Sequence, residues 1–456
     1  MLTTNCGFLA AEIMDVIRLF GAEGDDFVHT FTHDGDNYIN TIQCGSHSRT
    51  FTDTWKAEGE LDFKRCAKRS AKLAFYLFLR GNSLDLPWGA LTGIRPTKMA
   101  YAELDGGRDF APLFKKFCVS EDNIDIVRRV IQSQRAIYSR NRGVGEDIFV
   151  GIPFCPTKCE YCSFITAPYA AVKKYADEYV EKLIEEIYSL GNIITRVNSV
   201  YIGGGTPFCL ENEQLTRIYA AINALGTGGA EFTVEAGRPD TFTEEKLAAC
   251  KKAGVTRICV NPQTFSDQTL ERIGRRHTAE QTYAAYSMAE KYGFDINIDL
   301  IAGLPGEKLP DFKDSVIRAA QLQPANITVH SLCLKSGSRL KEHTSRIESG
   351  EIDEMIAFSR EELTSAGYQP YYLYRQKYQA GANENIGWCM PGKQCAYNIG
   401  TMEEICSNIA VGAGAISKRV FGGGARIERA AAPKDIPTYI SKCGKLIADR
   451  AALFSK

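Results

Sequence analysis

The chain has 456 residues, 44% of them hydrophobic, with 54 basic and 55 acidic side chains, which is enough for two or three domains with cores of their own. So balanced a charge excludes bulk electrostatic capture of nucleic acid or of an anionic membrane surface, and no apolar stretch approaches the ~20 residues a spanning helix needs. Met1 to Gly7 lacks the basic and apolar regions of an export signal, so the expected location is the cytoplasm, where the fifteen cysteines read as reduced thiols plus a metal site.

Residues 1–140 read as a separate α+β unit. Phe27 to His33 and Tyr38 to Cys44 alternate in polarity around Asp34-Gly-Asp36, a hairpin signal. Phe63 to Leu79 carries apolar residues at helical spacing among Lys and Arg. Leu86 to Lys98 is a loop punctuated by Gly and Pro. This segment shows no catalytic constellation.

From 141 to 345 the pattern changes to short apolar runs separated by helix-length segments. The runs are Ile148 to Pro153, Ser199 to Gly203, Phe232 to Glu235, Arg257 to Asn261, Ile296 to Ile301 and Ile327 to Ser331. Repeated βα units predict a parallel sheet curved into an open, partial (β/α)6 barrel, with chemistry at the C-terminal ends of its strands. Directly after the first run comes Cys155-Pro-Thr-Lys-Cys159-Glu-Tyr-Cys162. Three thiolates can hold three irons of a [4Fe–4S] cluster and leave the fourth open to a small molecule. The competing readings are ordinary buried thiols, or a zinc site, which needs a fourth protein ligand that the loop itself does not supply. After the second run, Gly203, Gly204, Gly205 and Thr206 offer backbone that a ligand can approach closely.

Residues 346–456 read as a C-terminal α+β extension: a charged helix from Glu348 to Ala366, the aromatic strand Tyr371 to Tyr378, then a loop rich in Gly and Asn. Cys389, Cys395 and Cys406 lie within eighteen residues, but their irregular spacing fits no simple iron–sulfur pattern and free thiols are expected.

The C-x3-C-x2-C spacing, with Tyr161 before the last Cys, resembles the signature of the radical S-adenosylmethionine (SAM) superfamily. Glu235, Gln263, Arg275 and Asp299, each near a strand end, resemble the SAM-binding series of the oxygen-independent coproporphyrinogen III oxidase family. The N-terminal unit and the motifs Asn383 to Trp388 and Pro391 to Asn398 are similar to its longer, coproporphyrinogen dehydrogenase-like branch, and Ile409 to Ser417 resembles the family's glycine loop. The resemblance implies a [4Fe–4S] cluster on Cys155, Cys159 and Cys162. It further implies SAM held by the glycine motif through its amino group, by Glu235 and Asp299 at ribose hydroxyls or the amine, by Arg275 at the carboxylate and by Gln263 at a ribose oxygen.

The implied reaction turns coproporphyrinogen III into protoporphyrinogen IX, with a flavodoxin or ferredoxin as electron donor. Arg375, Lys377 and His330, beside aromatic residues, are the candidate partners of the propionates, with Lys335 and Arg339 as further cations; the competing reading makes the aromatic run a buried edge strand and Lys335 and Arg339 a solvated face. His277, next to the Arg275 motif, is expected to hydrogen-bond only. One departure stands out: the decarboxylating oxidases carry a further Cys two positions after the third ligand, where this chain has Phe164. That ending is similar to relatives that act as haem chaperones, so haem binding on the same scaffold, or radical modification of another tetrapyrrole, is the alternative.

Overall fold

The structure is a computed structural model and describes residues 1–81, 86–93, 95–164, 166–333, 338–340, 350–376, 383–424 and 426–455. The chain forms two compact units, one of residues 1–128 with 375–383 and one of residues 129–374 with 384–456.

In the first unit, β1 (Leu2–Thr4), β2 (Phe27–Asp34), β3 (Asn37–Cys44) and β4 (His47–Thr54) form one sheet in that order. The expected hairpin is β2 and β3, closed at the pair Asp34 and Asn37 by a two-residue turn in which Gly35 takes φ +57°. Its inner face, with Phe27, Phe31, Tyr38 and Ile42, is buried and contacts the helix Glu60–Arg80. Four polar side chains of that face and its helix form one chain of hydrogen bonds. Thr4 meets His29 Nδ1 at 2.9 Å, His29 Nε2 meets Asn40 at 3.0 Å, and Asn40 donates to Ser70 at 2.9 Å.

The second unit holds β5 (Glu146–Ile152), the short β6 (Phe154–Cys155) and β7 (Ala167–Pro168), then β8 (Val197–Gly204), β9 (Glu231–Gly237), β10 (Arg257–Val260), β11 (Asp295–Ala302) and β12 (Asn326–Ser331). It continues with β13 (Gln369–Tyr374), β14 (Asn385–Cys389), β15 (Ser407–Val411), β16 (Ile416–Phe421) and β17 (Arg426–Ala431). All six expected runs are strands, parallel and adjacent in chain order from β5 through β8 to β12. Their Val and Ile side chains are almost wholly buried, as a parallel sheet covered on both faces requires. The sheet does not close: β14 and β13 extend it antiparallel beyond β12, and β15, β16 and β17 extend it beyond β5. The fold is therefore α/β, with a partial six-stranded parallel barrel widened at both edges by the C-terminal strands. The helix Ala396–Glu403 lies against β5, β8 and β13, and its Tyr397 stacks 4.5 Å from the ring of Tyr201 on β8.

The glycine loop after β15 is fastened at the C-terminal end of β5 by one buried carboxylate. Glu186, on the helix Ala176–Ser189, is fully buried. It accepts from the Gly412 N–H at 2.9 Å and the Tyr439 hydroxyl at 2.6 Å, and it pairs with Arg450. Tyr179, about two turns earlier, donates to Gly151 O at 2.7 Å and accepts from the Ala413 N–H at 3.0 Å. Removing the carboxylate strands a buried guanidinium, so Glu186→Ala should cost about 3–5 kcal/mol in urea unfolding; a loss below 1 kcal/mol would show the network to be idle.

Candidate functional site

Because the core strands run parallel, everything that follows their C-terminal ends shares one edge of the sheet. Pro153 ends β5, and the chain turns into the cysteine loop. Phe154 anchors that loop: it is fully buried and meets Tyr179 edge-on at 5.2 Å. The far side of the loop returns through β7, which pairs with β6. Cys159 is 7% exposed, Cys155 and Cys162 somewhat more. Burial raises the Cys155 thiol, while a hydrogen bond from Thr206 at 3.7 Å and the charge of Arg238 pull it back. The Cys162 thiol is pushed up to about 11, first by burial and then by the charges of Cys159 and Cys155. The three sulfurs are thus electrostatic neighbours. Among the described residues no three Cys, His, Asp or Glu side chains converge as the ligands of a single metal ion do; a cubane asks for less, since each thiolate binds its own iron.

The glycine motif sits beside this loop. A Cβ on Gly205 would overlap the carbonyl oxygens of Phe154 and Ile152, and one on Gly203 would overlap the Glu235 carboxylate. The backbone is bare here because two neighbours occupy the space. Thr206 N–H closes the contact by donating to Phe154 O at 2.7 Å.

Two carboxylates lie side by side next to that motif. Burial and the charge of Asp299 push Glu235 up to about 8, against hydrogen bonds from the Gly204 N–H and Tyr201. Burial also works against Asp299, but the neighbouring His330, Asn297 and Thr328 outweigh it and hold its carboxyl below the usual range. Asn297 donates at 2.8 Å, and His330 Nε2 stands 3.8 Å away. Gln263 adopts φ +74°, a left-handed conformation rare outside glycine. It is held there by a bridge to β11, with its N–H donating to Asp299 O and its C=O accepting from the Ile301 N–H, both at 3.0 Å. Such enforced backbone clusters at functional sites.

Arg275 comes in from below the cysteine loop. It is 9% exposed, donates to Asn261 O and, at 3.1 Å, to the Tyr161 hydroxyl, while its Nε has no partner among the described residues. Burial disfavours its charge, yet Tyr161 and Cys159 keep its pKa above the ordinary value. An orphaned guanidinium nitrogen, bare glycine backbone and adjacent carboxylates are the donor set that an amino-acid-bearing nucleoside needs, and three thiols are that of an iron–sulfur cluster. His277 is buried, and its imidazole is pushed down to about 3 by burial and by Arg275, so it stays neutral.

Of the expected substrate residues, the structure brings His330 to this edge, with Nδ1 3.1 Å from the Tyr374 hydroxyl. Arg375 belongs to the N-terminal unit instead: it donates to the carbonyls of Leu91 and Asn383 and lies 5.4 Å over the Trp88 ring. Lys377 and Lys335 fall outside the described residues, and Arg339 is exposed and paired with Glu160 at 3.3 Å. Tyr371 and Tyr372 are buried on β13, the edge strand, as core side chains. Cys395 and Cys406 donate to different carboxylates, Glu231 and Asp147, both at 3.1 Å, while Cys389 shares a hydrogen bond with Ser133.

Sequence reasoning passed over Arg238. It is 2% exposed, grips Asp240 through Nε at 2.9 Å and Nη2 at 2.7 Å, and donates from Nη1 to Thr157 inside the cysteine loop. The Arg-Pro-Asp triplet just past Glu235, an Arg and an Asp two apart after a strand, was the available signal.

Residues 149–318 match the family model of the radical SAM superfamily. Over 398 residues the chain is 36% identical to the oxygen-independent coproporphyrinogen-III oxidase-like protein HemZ of Bacillus subtilis, covering 83% of this chain and 79% of that protein. It is 36% identical to the haem chaperone HemW of the same organism over 196 residues, 41% of this chain and half of that one. The solved structure of coproporphyrinogen III oxidase (HemN) from Escherichia coli, a radical SAM enzyme, superposes with a TM-score of 0.55 at 21% identity over 69% of this chain and 72% of that one, a likeness of fold. Identity of that degree along most of both chains, with the match of residues 149–318 to the family model, makes this protein a member of the radical SAM superfamily, in the family of the oxygen-independent coproporphyrinogen-III oxidase-like proteins.

Proposed function

We propose that the protein is a radical enzyme that oxidatively decarboxylates coproporphyrinogen III to protoporphyrinogen IX. The observation that carries the reading is the convergence, at one sheet edge, of the Cys155, Cys159, Cys162 loop with the glycine backbone, Glu235, Gln263, Arg275 and Asp299. When bound, the cluster and SAM supply one electron and a 5'-deoxyadenosyl radical able to take hydrogen from unactivated carbon. The protein's own share is positioning and exclusion of water. Gly203 to Thr206 receive the amino group of SAM, Arg275 its carboxylate, and Glu235, Asp299 and Gln263 its ribose. His330, between Asp299 and Tyr374, faces the substrate side as the candidate partner of a propionate. A flavodoxin or ferredoxin supplies the electron.

Anaerobic incubation of the reconstituted protein with SAM, a low-potential reductant and coproporphyrinogen III tests this by following deoxyadenosine and porphyrinogen mass together. Deoxyadenosine with two successive losses of CO2 and hydrogen is the expected result. Deoxyadenosine beside an unchanged porphyrinogen would sink the decarboxylase reading.

A second reading, haem binding and transfer, is favoured by Phe164. It is 60% exposed on the cysteine loop, at the place where the oxidases carry Cys and where haem chaperones resemble this chain. An exposed aromatic ring beside the site suits a flat apolar ligand. Tight haem binding together with unaltered coproporphyrinogen would support it.

A further inference from the structure

The thiols are only part of what defines the cysteine loop, since a second segment of the chain is bonded along it. Glu160 N–H donates to Ile273 O at 3.1 Å, and the Thr157 hydroxyl donates to Gly274 O at 3.1 Å. The same hydroxyl accepts from Arg238. Thr157 therefore uses its proton on one side and a lone pair on the other, and its rotamer is fixed from both. Arg238 is itself immobile. Pro239 starts a single 3-10 turn that carries Asp240 back beneath the guanidinium, where the two side chains meet as a fork. The Thr241 hydroxyl and N–H both return to the Arg238 carbonyl, at 2.7 and 3.0 Å.

We propose that Arg238 is a positioning residue for the cysteine loop: gripped by Asp240, it holds Thr157 between the first two thiols and sets a buried positive charge beside Cys155. This rests on the cluster reading of the loop. Arg275 already serves the Cys159 side, with its hydrogen bond toward that sulfur. Arg238 is its counterpart on the Cys155 side, where its charge bears on the thiol. Two buried guanidiniums flanking three thiolates, that of Arg238 ion-paired with Asp240, offset part of the negative charge that a reduced cluster gains, so they ease its reduction. A lysine cannot substitute, because one ammonium cannot hold a carboxylate as a fork and reach a hydroxyl at the same time.

The alternative is that the pair merely braces the turn after β9. A brace would alter melting and leave the cluster untouched. The test uses full-length protein reconstituted anaerobically as wild type, Arg238→Lys, Arg238→Gln, Thr157→Val and Thr157→Ser. Its readouts are iron and sulfide content, the rate of iron loss to a chelator, the EPR spectrum of the reduced cluster and its midpoint potential. We expect Arg238→Gln and Thr157→Val to lose iron roughly 10- to 100-fold faster, Arg238→Gln to shift the midpoint to lower potential, and Thr157→Ser to restore wild-type behaviour. Arg238→Lys should keep the potential near wild type and still lose iron quickly. Wild-type release and spectra in Thr157→Val, a change of one hydroxyl to a methyl that folds even if the Arg238 variants do not, would overturn the proposal. A wild-type protein that takes up no iron would instead remove the cluster reading beneath it.

Discussion

Cys159→Ala is expected to abolish SAM cleavage outright, with deoxyadenosine formation falling to the level of a no-enzyme control. Cys159 is the most buried of the three loop thiols, and it is the one that both neighbouring thiols and Arg275 sense. With it gone, two thiolates cannot hold a cubane that already lacks a fourth protein ligand. The polypeptide should barely notice: removing one small buried side chain from a loop costs about 1 kcal/mol, so cluster-free wild type and variant should melt together. Cys395→Ala is the control. Its thiol donates to Glu231 and has no place at the strand ends, so iron content and SAM cleavage should stay at wild-type levels. A Cys159→Ala protein that retained its iron and still made deoxyadenosine would refute the assignment of this loop.

Glu235→Gln should separate stability from function. The Glu235 carboxyl is held up to about 8 by burial and by Asp299, against an ordinary value near 4.5. Between those two values the folded chain binds a proton that the unfolded chain has released, so the stability of the unliganded protein must fall as pH rises from about 4.5 to about 8 and level off beyond. Glu235 is partly exposed, which tempers the effect to about 2–3 kcal/mol. Glutamine cannot ionise. The variant should therefore lose that slope and unfold at higher urea than wild type at pH 8.5, with the two converging at pH 5. It should also bind SAM at least ~10-fold more weakly at pH 8.5, where the wild-type carboxyl is ionised and an amide replaces an anion at the ribose or amine. Identical urea midpoints for both proteins at pH 8.5 would show that the two carboxylates do not strain each other.

The barrel was legible because its strands are short Val- and Ile-rich runs bounded by Gly, Pro or helix caps, a pattern local to each segment. The cysteine spacing was legible for a chemical reason, since thiols at such intervals serve few purposes. What escaped depended on distant partners. β4 reads His-Ser-Arg-Thr-Phe-Thr-Asp-Thr, a mostly polar and exposed run whose pairing with β3 is its main reason to be a strand. β15 slots beside β5 across 260 residues of chain, and no local pattern announces such a pairing. Arg375 looked like a substrate cation because it interrupts aromatic residues, yet the contacts that use it, with Leu91 and Trp88, are some 285 positions away in sequence. Arg238 was missed for the same reason: its partner Thr157 lies eighty-one residues earlier.

The many thiols of this chain divide into two chemical populations. Cys250 and Cys389 are each pushed up to about 12 by burial, and burial also raises Cys259, Cys395 and Cys406 well above the ordinary thiol value. At neutral pH these sulfurs stay protonated inside the packed sheet, poor nucleophiles that neither alkylating agents nor peroxide will readily find. A chain with fifteen cysteines thus presents an oxidant with few targets in its core. Damage by air should register first at the half-exposed sulfurs, Cys155 and Cys162 of the strand-end loop among them, leaving the fold to outlast the activity.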